Sequence, residues 1–373
     1  MFYKGQNRLV QARDRKPQTM IRRLTGVGAG IAALACFAAP VFAADCSLDG
    51  ETLSGSVRFF STGGTYAETL DKVYFLPFQE ECGVEVISVT SSRTYEQLTE
   101  MMKAGHYQYD LGGTLSGFEY PLGVEAGLYA KLPGNFWDAT SATMENRGTS
   151  EYGAWSTSFS QVMAYNTDAL PASFGENGWA DFWDVEKYPG KRSLKSDPRS
   201  LVFALMADGV KREDLYPLDY DRAFRKLDEL KPHVLFWWKA GDQPIQGILN
   251  KEVVASSAFN GRVWSPSRDG KPIAMNWNEN LFQFGWNIVL KDAPNQRNAV
   301  ALLHFMQRAD RQAEQAKATA YTGANLAALK ELSEEAAQAL AVAHVDQSIP
   351  YDVVWWADNV KEASKRWNEW IAQ

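Results

Sequence analysis

Residues 235–246, LFWWKAGDQPIQ, set two tryptophans side by side at the mouth of a polar turn. In an extended strand neighbouring side chains point to opposite faces, so Trp237 and Trp238 cannot serve one surface. One is expected to fill a core and the other to line a crevice beyond the strand end. The chemistry open to such a crevice is that of flat rings and isolated charges. A cation over an aromatic face gains about 0.5–2 kcal/mol, and a guanidinium clamps a carboxylate with a two-pronged fork. Asp197 in KSDPRS, Asp242 in the turn above, and Arg93, Arg199 and Arg262 near other turns are the charged groups in range. Metal or covalent chemistry has no comparable support. His106, His233, His304 and His344 lie far apart with no ligand spacing. Gly63-Gly64 and Gly112-Gly113 form neither GxGxxG nor a P-loop and read as turns. Their strand-end position suits a cleft rim, because open α/β sheets bind ligands at the carboxyl ends of strands. No metal, cofactor or catalytic set is expected.

The elements that must hold these side chains alternate. SVRFF (56–60) is β-branched and aromatic, and STGGT breaks it. Leu70, Val73, Tyr74, Pro77 and Phe78 then fall at helical spacing until Gly83. VEVISV (84–89) is a second strand, Thr94-Tyr-Glu-Gln97 has capping-box spacing before YEQLTEMMKAG, and YDLGGTL (109–115) holds a third strand. Strands separated by helices imply parallel pairing and an α/β layer. The pattern resumes at SFSQVMAYNTDAL, followed by SLKSDPRSLVFALMADG as strand, Asp-Pro turn and helix, and by the helix DYDRAFRKLDELKP. HVLFWW is a strand, GDQPIQGILN starts a helix, EVVASSAFNGR is strand-like, and FGWNIVLKDAPNQRNAVALLHFMQ is strand, turn and helix.

The first 43 residues stand apart. From Met20 the chain reads MIRRLTGVGAGIAALACFAAPVFA, with two arginines, an apolar run from Val27 to Ala39 and a small-residue end. That is the build of an export signal, with cleavage expected after Ala43, which places the mature chain in the periplasm. The run is too short for a membrane span. Translation starts at Met1 or Met20, and Arg22-Arg23 matches a twin-arginine signal only weakly. Removing residues 1–43 takes away seven Lys/Arg and one acid, which turns a net charge of −7 into −13 over 330 residues. That length favours two lobes, and the charge argues against nucleic acid or anionic lipid as partner. Cys46 and Cys82 are the cysteines that remain. In an exported chain the pair reads as a disulfide, the other reading being two buried thiols.

The order of these pieces resembles the periplasmic solute-binding proteins of ABC transporters, in their spermidine/putrescine-binding branch. The resemblance is carried by RFFSTGGTYAETLDKVYFLPFQEECGVEV, AYNTDAL, ADFWDVEKYPGK, GDQPIQGILNKEV with FNGRVW, and WNIVLKDAPNQRNAVALLHFM. It implies a two-lobed α/β fold of periplasmic-binding-protein type II, each lobe a mixed, mostly parallel sheet flanked by helices. Residues 44–157 with 282–320 would form one lobe, and 158–281 with 321–373 the other. It also implies a monomer that closes on an amine-containing solute and delivers it to a membrane permease and its ATPase. In the polyamine binders, aromatics stack on the ligand and carboxylates face each ammonium.

Position by position, the resemblance makes Tyr66 a ligand aromatic, Asp197 a ligand acid and Tyr321 a contacting tyrosine. Thr65, Arg93, Thr114, Trp237, Trp238, Asp242, Asn260 and Trp277 complete the candidate contacts. The chain departs from the pattern at Ser200, where the family has a second acid, at Gln283 and Gly285, where it has an aromatic and an acid, and at Phe259, where it has tryptophan. One clear ammonium partner remains where a diamine prefers two. With Arg93, Arg199 and Arg262 close to the same turns, an ω-amino acid such as 4-aminobutyrate is the alternative to a polyamine. Each assignment has a plain competitor: both tryptophans in the core, and Asp197 and Asp242 as helix N-caps. Glu279 is a candidate replacement for the lost acid, with a solvated loop residue as the favoured reading. A ferric carrier would want adjacent tyrosines, and TAYTG offers Tyr321 alone. An enzyme would need a nucleophile or an acid–base pair, and no motif supplies one.

Overall fold

The computed structural model describes residues 46, 50, 52–61, 63–90, 95–113, 117–144 and 148–373. The export signal, the Thr94 cap, Arg93 and Thr114 lie outside the described residues, as does the side chain of Thr65. Among them the strands are β1 Ser56–Ser61, β2 Glu85–Thr90, β3 Leu111–Gly113, β4 Gly153–Asn166, β5 Arg192–Lys195, β6 Val234–Trp238, β7 Ala255–Phe259 and β8 Ile273–Val289. They form one sheet in the order β2-β1-β3-β8-β4-β7-β5-β6. The outer pairs, β1 with β2 and β3 and β5 with β6 and β7, are parallel, as helical crossovers require.

Antiparallel pairing is confined to the centre. There β4 and β8 run past each other from Gly153↔Ile288 to Asn166↔Ile273. The crossings expected near 157 and 282 lie inside these two strands, and Trp277 and Trp286 belong to the same one. The ladder slips twice, between Trp155 and Thr157 and between Gln161 and Met163. Such irregularities bend a strand and re-aim its side chains, and they bracket Thr157–Gln161.

Separate apolar cores lie towards either end of the sheet. One gathers Val57, Phe59, Phe78, Val84 and Phe305; another gathers Trp179, Phe182, Phe203, Leu227 and Trp356. Each such side chain, fully buried, contributes about 1.5–3 kcal/mol. Gly83, at φ 68, ends the helix Leu76–Cys82 in the left-handed conformation that glycine adopts without strain. The disulfide Cys46–Cys82 is formed, with Cα atoms 5.4 Å apart across a separation of 36 residues. Closing a loop of that size is worth about 3–4 kcal/mol in a chain-entropy account.

Two local readings change. The strand-like stretch EVVASSAFNGR ends at Phe259, and Asn260 opens a helix to Arg268. Glu279 is neither a solvated loop residue nor a spare ligand acid. Its carboxylate accepts from the Trp179 amide at 2.8 Å, and its carbonyl accepts from the Trp179 indole at 2.9 Å.

Candidate functional site

Side-chain alternation puts Thr157, Phe159 and Gln161 of β4 on one face, across from Gly285, Gln283 and Leu281 of β8. β7 adds Phe259 beside Gln161. On the free edge of β4, Ser158 pairs with Thr322, which sets Tyr321 on the face that holds Phe159. On the edge of β8, Leu281 pairs with Ile349, and Tyr351 follows two residues on. Residues far apart in sequence thus meet where the chain passes between the two halves of the sheet.

A wall of rings crosses this place. Tyr66 meets Tyr321 with centroids 5.9 Å apart, Tyr321 meets Phe159 at 6.2 Å, Phe159 meets Phe259 at 5.4 Å, and Phe259 meets Trp238 at 5.4 Å. Gly261 lets the wall close, because a Cβ there would lie 2.6 Å from the Tyr321 ring. The Tyr66 hydroxyl is 2.6 Å from the Thr157 hydroxyl, and the Gln315 amide donates to both. Tyr74 donates to the same Gln315 at 2.6 Å. The Tyr66 hydroxyl is therefore engaged within the protein, and burial raises its pKa against those bonds.

Above the wall sits a charge cluster built by the end of β5 and the turn into the helix Ser200–Ala207. Asp197 is gripped by the Arg199 fork, with Oδ1 2.7 Å from Nε, and Lys195 Nζ lies 3.3 Å from Oδ2. Lys195 Nζ also stands 5.1 Å over the Phe259 ring and 5.7 Å from Trp238. Burial would raise the Asp197 carboxyl, but Arg199 and Lys195 outweigh it and hold the carboxyl well below the usual carboxylate range. Burial pushes Lys195 down to about 8 despite Asp197. Two cations, Lys195 and Arg199, share the Asp197 carboxylate. The Tyr351 hydroxyl is buried next to Arg199 and raised to about 12, by burial first.

The candidate contacts separate into groups. Tyr66, Asp197, Tyr321 and Trp238 come together here, although Trp238 is only 1% exposed and supports Phe259 from beneath rather than facing a solute. Its neighbour Trp237 leaves the crevice and packs edge-on against Trp367 and Trp370 of the C-terminal helix. Asn260 is fully buried with its amide spent: it accepts from the Ser160 amide and donates to the carbonyls of Ala320 and Ala339, which leaves nothing for a ligand. Trp277 stacks on His344 at 4.0 Å, away from the wall. Asp242, 62% exposed, makes no cap hydrogen bond and pairs with Arg262 at 3.0 Å at the rim. Arg262 in turn lies against the Tyr321 hydroxyl.

Sequence reasoning passed over Phe159, Gln161, Lys195 and Tyr351. Alternation through SFSQVMAY is the signal that would have found the first two. Gln283 and Phe259, noted as departures, sit in the site itself. As a whole the arrangement can hold a negative group at Lys195 and Arg199, a short apolar chain against the rings, and a further polar group at the β4–β8 face.

Comparison with known proteins bears on this geometry. Residues 74–344 match the family model described as bacterial extracellular solute-binding protein. A gamma-aminobutyric acid-binding protein of Pseudomonas aeruginosa is 32% identical over 86% of this chain and 92% of its own length. The spermidine/putrescine-binding periplasmic protein of Escherichia coli is 29% identical over 47% of this chain and 50% of its own. The solved Atu4243–GABA receptor superposes with a TM-score of 0.77 at 30% identity, over 84% of this chain and 97% of that one.

Proposed function

The chain belongs to the bacterial extracellular solute-binding proteins, and from that premise we propose that it is the periplasmic component of an ABC importer that captures an ω-amino acid of the 4-aminobutyrate kind. In this reading the carboxylate of the solute docks on Lys195 and Arg199, and its methylene chain lies along Phe159, Phe259 and Tyr321. The amine end stays over the rings, where a cation gains about 0.5–2 kcal/mol. The loaded protein then delivers its solute to a membrane permease driven by an ATPase.

One observation carries the choice of solute: Asp197, the acid that would face an ammonium, is already held by Arg199 and Lys195. A diamine brought there would meet two cations already on the acid it needs, whereas a carboxylate would be drawn to those cations. Charge-assisted hydrogen bonds of this sort are roughly twice as strong as neutral ones. The P. aeruginosa relative, similar over nearly the whole chain, supports the same reading. The polyamine reading rests on the aromatic wall and on the shorter likeness to the E. coli protein.

Isothermal titration of protein stripped of bound solute decides between them. The expected result is binding of 4-aminobutyrate near the micromolar range, about −8 kcal/mol, with putrescine and spermidine at least tenfold weaker. Putrescine binding as tightly as 4-aminobutyrate would overturn the assignment.

A further inference from the structure

Within the same face of β4 and β8, two side chains break the rule that buried polar groups find partners. Gln161 is 1% exposed and Gln283 2% exposed. Among the described residues, neither the Gln161 Nε2 nor its Oε1 makes a hydrogen bond, and nor does the Gln283 Nε2. The two are diagonal neighbours across the ladder, Phe159 standing opposite Gln283 and Gln161 opposite Leu281. Phe259 flanks Gln161, and Tyr351, whose hydroxyl lies next to Arg199, stands on the edge beyond Gln283. The unmatched groups are therefore gathered against the ring wall and the cationic cluster.

The inventory of these atoms is itself selective. An amide Nε2 only donates and an amide oxygen only accepts. Two donor groups and one acceptor thus wait at this face. A polyamine carries donors alone; it can satisfy the Gln161 oxygen and leaves both Nε2 groups bare. A solute with both a carboxylate and an amine can satisfy all three. Each buried donor left bare costs an affinity factor of about 5- to 150-fold.

We propose that Gln161 and Gln283 form a neutral amide pair that selects the solute, admitting molecules that bring hydrogen-bond acceptors and rejecting those that bring donors only. The inference rests on the solute-binding reading of this site, and it assigns discrimination to two uncharged residues rather than to the ion cluster. Specificity of this kind comes from what the wrong ligand leaves unpaired as much as from what the right one gains.

Gln161→Met and Gln283→Met test it, each titrated with 4-aminobutyrate, 5-aminopentanoate, putrescine and cadaverine, beside thermal unfolding without solute. The ratio of amino-acid to diamine affinity is expected to fall about tenfold or more in each variant. The solute-free melting temperature is expected to hold or rise, since an unmatched buried amide is replaced by an apolar chain of similar length. A falling melting temperature with an unchanged ratio would make the glutamines structural and overturn the proposal. Gln283→Glu, which adds an anionic acceptor, is expected to swing the ratio further toward the diamines; no swing would count against it. If the unmodified protein prefers diamines, the assignment of the solute fails, while the amide pair is judged separately by whether the Met variants move the ratio.

Discussion

Ser160 and Gln161 are consecutive in β4 and face opposite ways, and the two faces could hardly differ more. Behind the strand the polar atoms around Ser160 are matched. The Ser160 hydroxyl donates to Asn280 at 2.6 Å, and Asn280 donates to the carbonyls of Trp277 and His344. Asn260 links the Ser160 amide to Ala320 and Ala339. In front, the Gln161 amide has no partner at all among the described residues. Buried amides of the same chemistry serve two ends. The matched set welds the C-terminal segments to the crossing strands, and the unmatched set keeps hydrogen-bonding capacity for something that is not protein. Burial of a polar side chain thus does not announce its role; the state of its partners does.

Breaking the matched side should give the largest effect. Asn260→Ala strands the Ser160 amide and two carbonyls in a dry interior. At about 1–3 kcal/mol for each unsatisfied group, partly relieved by relaxation, we expect about 3–5 kcal/mol of lost stability in denaturant unfolding. A loss under about 1 kcal/mol would mean that the weld is not structural and would return Asn260 to the list of ligand contacts.

Next comes the cluster that shares features of both sides, two cations gathered on one acid. Arg199→Met removes the fork and leaves Asp197 with Lys195 and the backbone amide of residue 199. Truncating one member of a buried charge pair commonly costs about 2–5 kcal/mol, so 4-aminobutyrate should bind on the order of 100-fold more weakly by titration calorimetry. Arg199→Lys restores the charge without the planar fork and should recover only part of the loss. Equal affinity in both variants and the parent would separate Arg199 from the solute.

Much of this layout was legible from local pattern. Alternating apolar runs marked β1, β2 and β6, and the opposed directions of Trp237 and Trp238 follow from the two-residue period of a strand. Tyr66, Asp197 and Tyr321 could be picked out because short motifs surround them. What escaped was long-range. The partners of Asn260 come from residues 160, 320 and 339, and no spacing within FNGR hints at them. Phe159 and Gln161 read as ordinary members of a strand until β8 and β7 are laid beside them. Asp197 looked like a free acid because its engagement by two cations depends on how the KSDPRS turn folds back on itself. Trp277 looked like a cleft residue because its ring partner, His344, is sixty-seven positions away.

The cluster also carries a smaller, pH-dependent mark. Lys195, pressed down to about 8 by burial against Asp197 and beside Arg199, loses its proton in the folded protein well before it would in the unfolded chain. The sign for stability follows: a depressed lysine weighs against the folded state while it is charged, fully below about 8, and that penalty fades as pH rises towards the ordinary lysine value. Carboxylate binding runs the other way, since it uses the charge. Affinity for 4-aminobutyrate should therefore fall by up to about tenfold between pH 7 and 9. Lys195→Met should bind weakly and with a flat profile over that range. A profile of the parent that is flat as well would place the carboxylate elsewhere.

The rim pair supplies the mildest contrast, because it repeats the chemistry of the cluster in the open. Asp242 and Arg262 meet at 3.0 Å, but the acid is 62% exposed where Asp197 is 15%. Water screens such a pair, and exposed ion pairs are worth about 0–1 kcal/mol. Asp242→Asn should accordingly shift stability by less than about 0.5 kcal/mol and leave solute affinity within about twofold of the parent, since Arg262 still rests on the Tyr321 hydroxyl. A larger loss of affinity would show that Asp242 reaches the solute. The site would then hold a second acid, and the balance between amino acid and diamine would need to be drawn again from the rim inward.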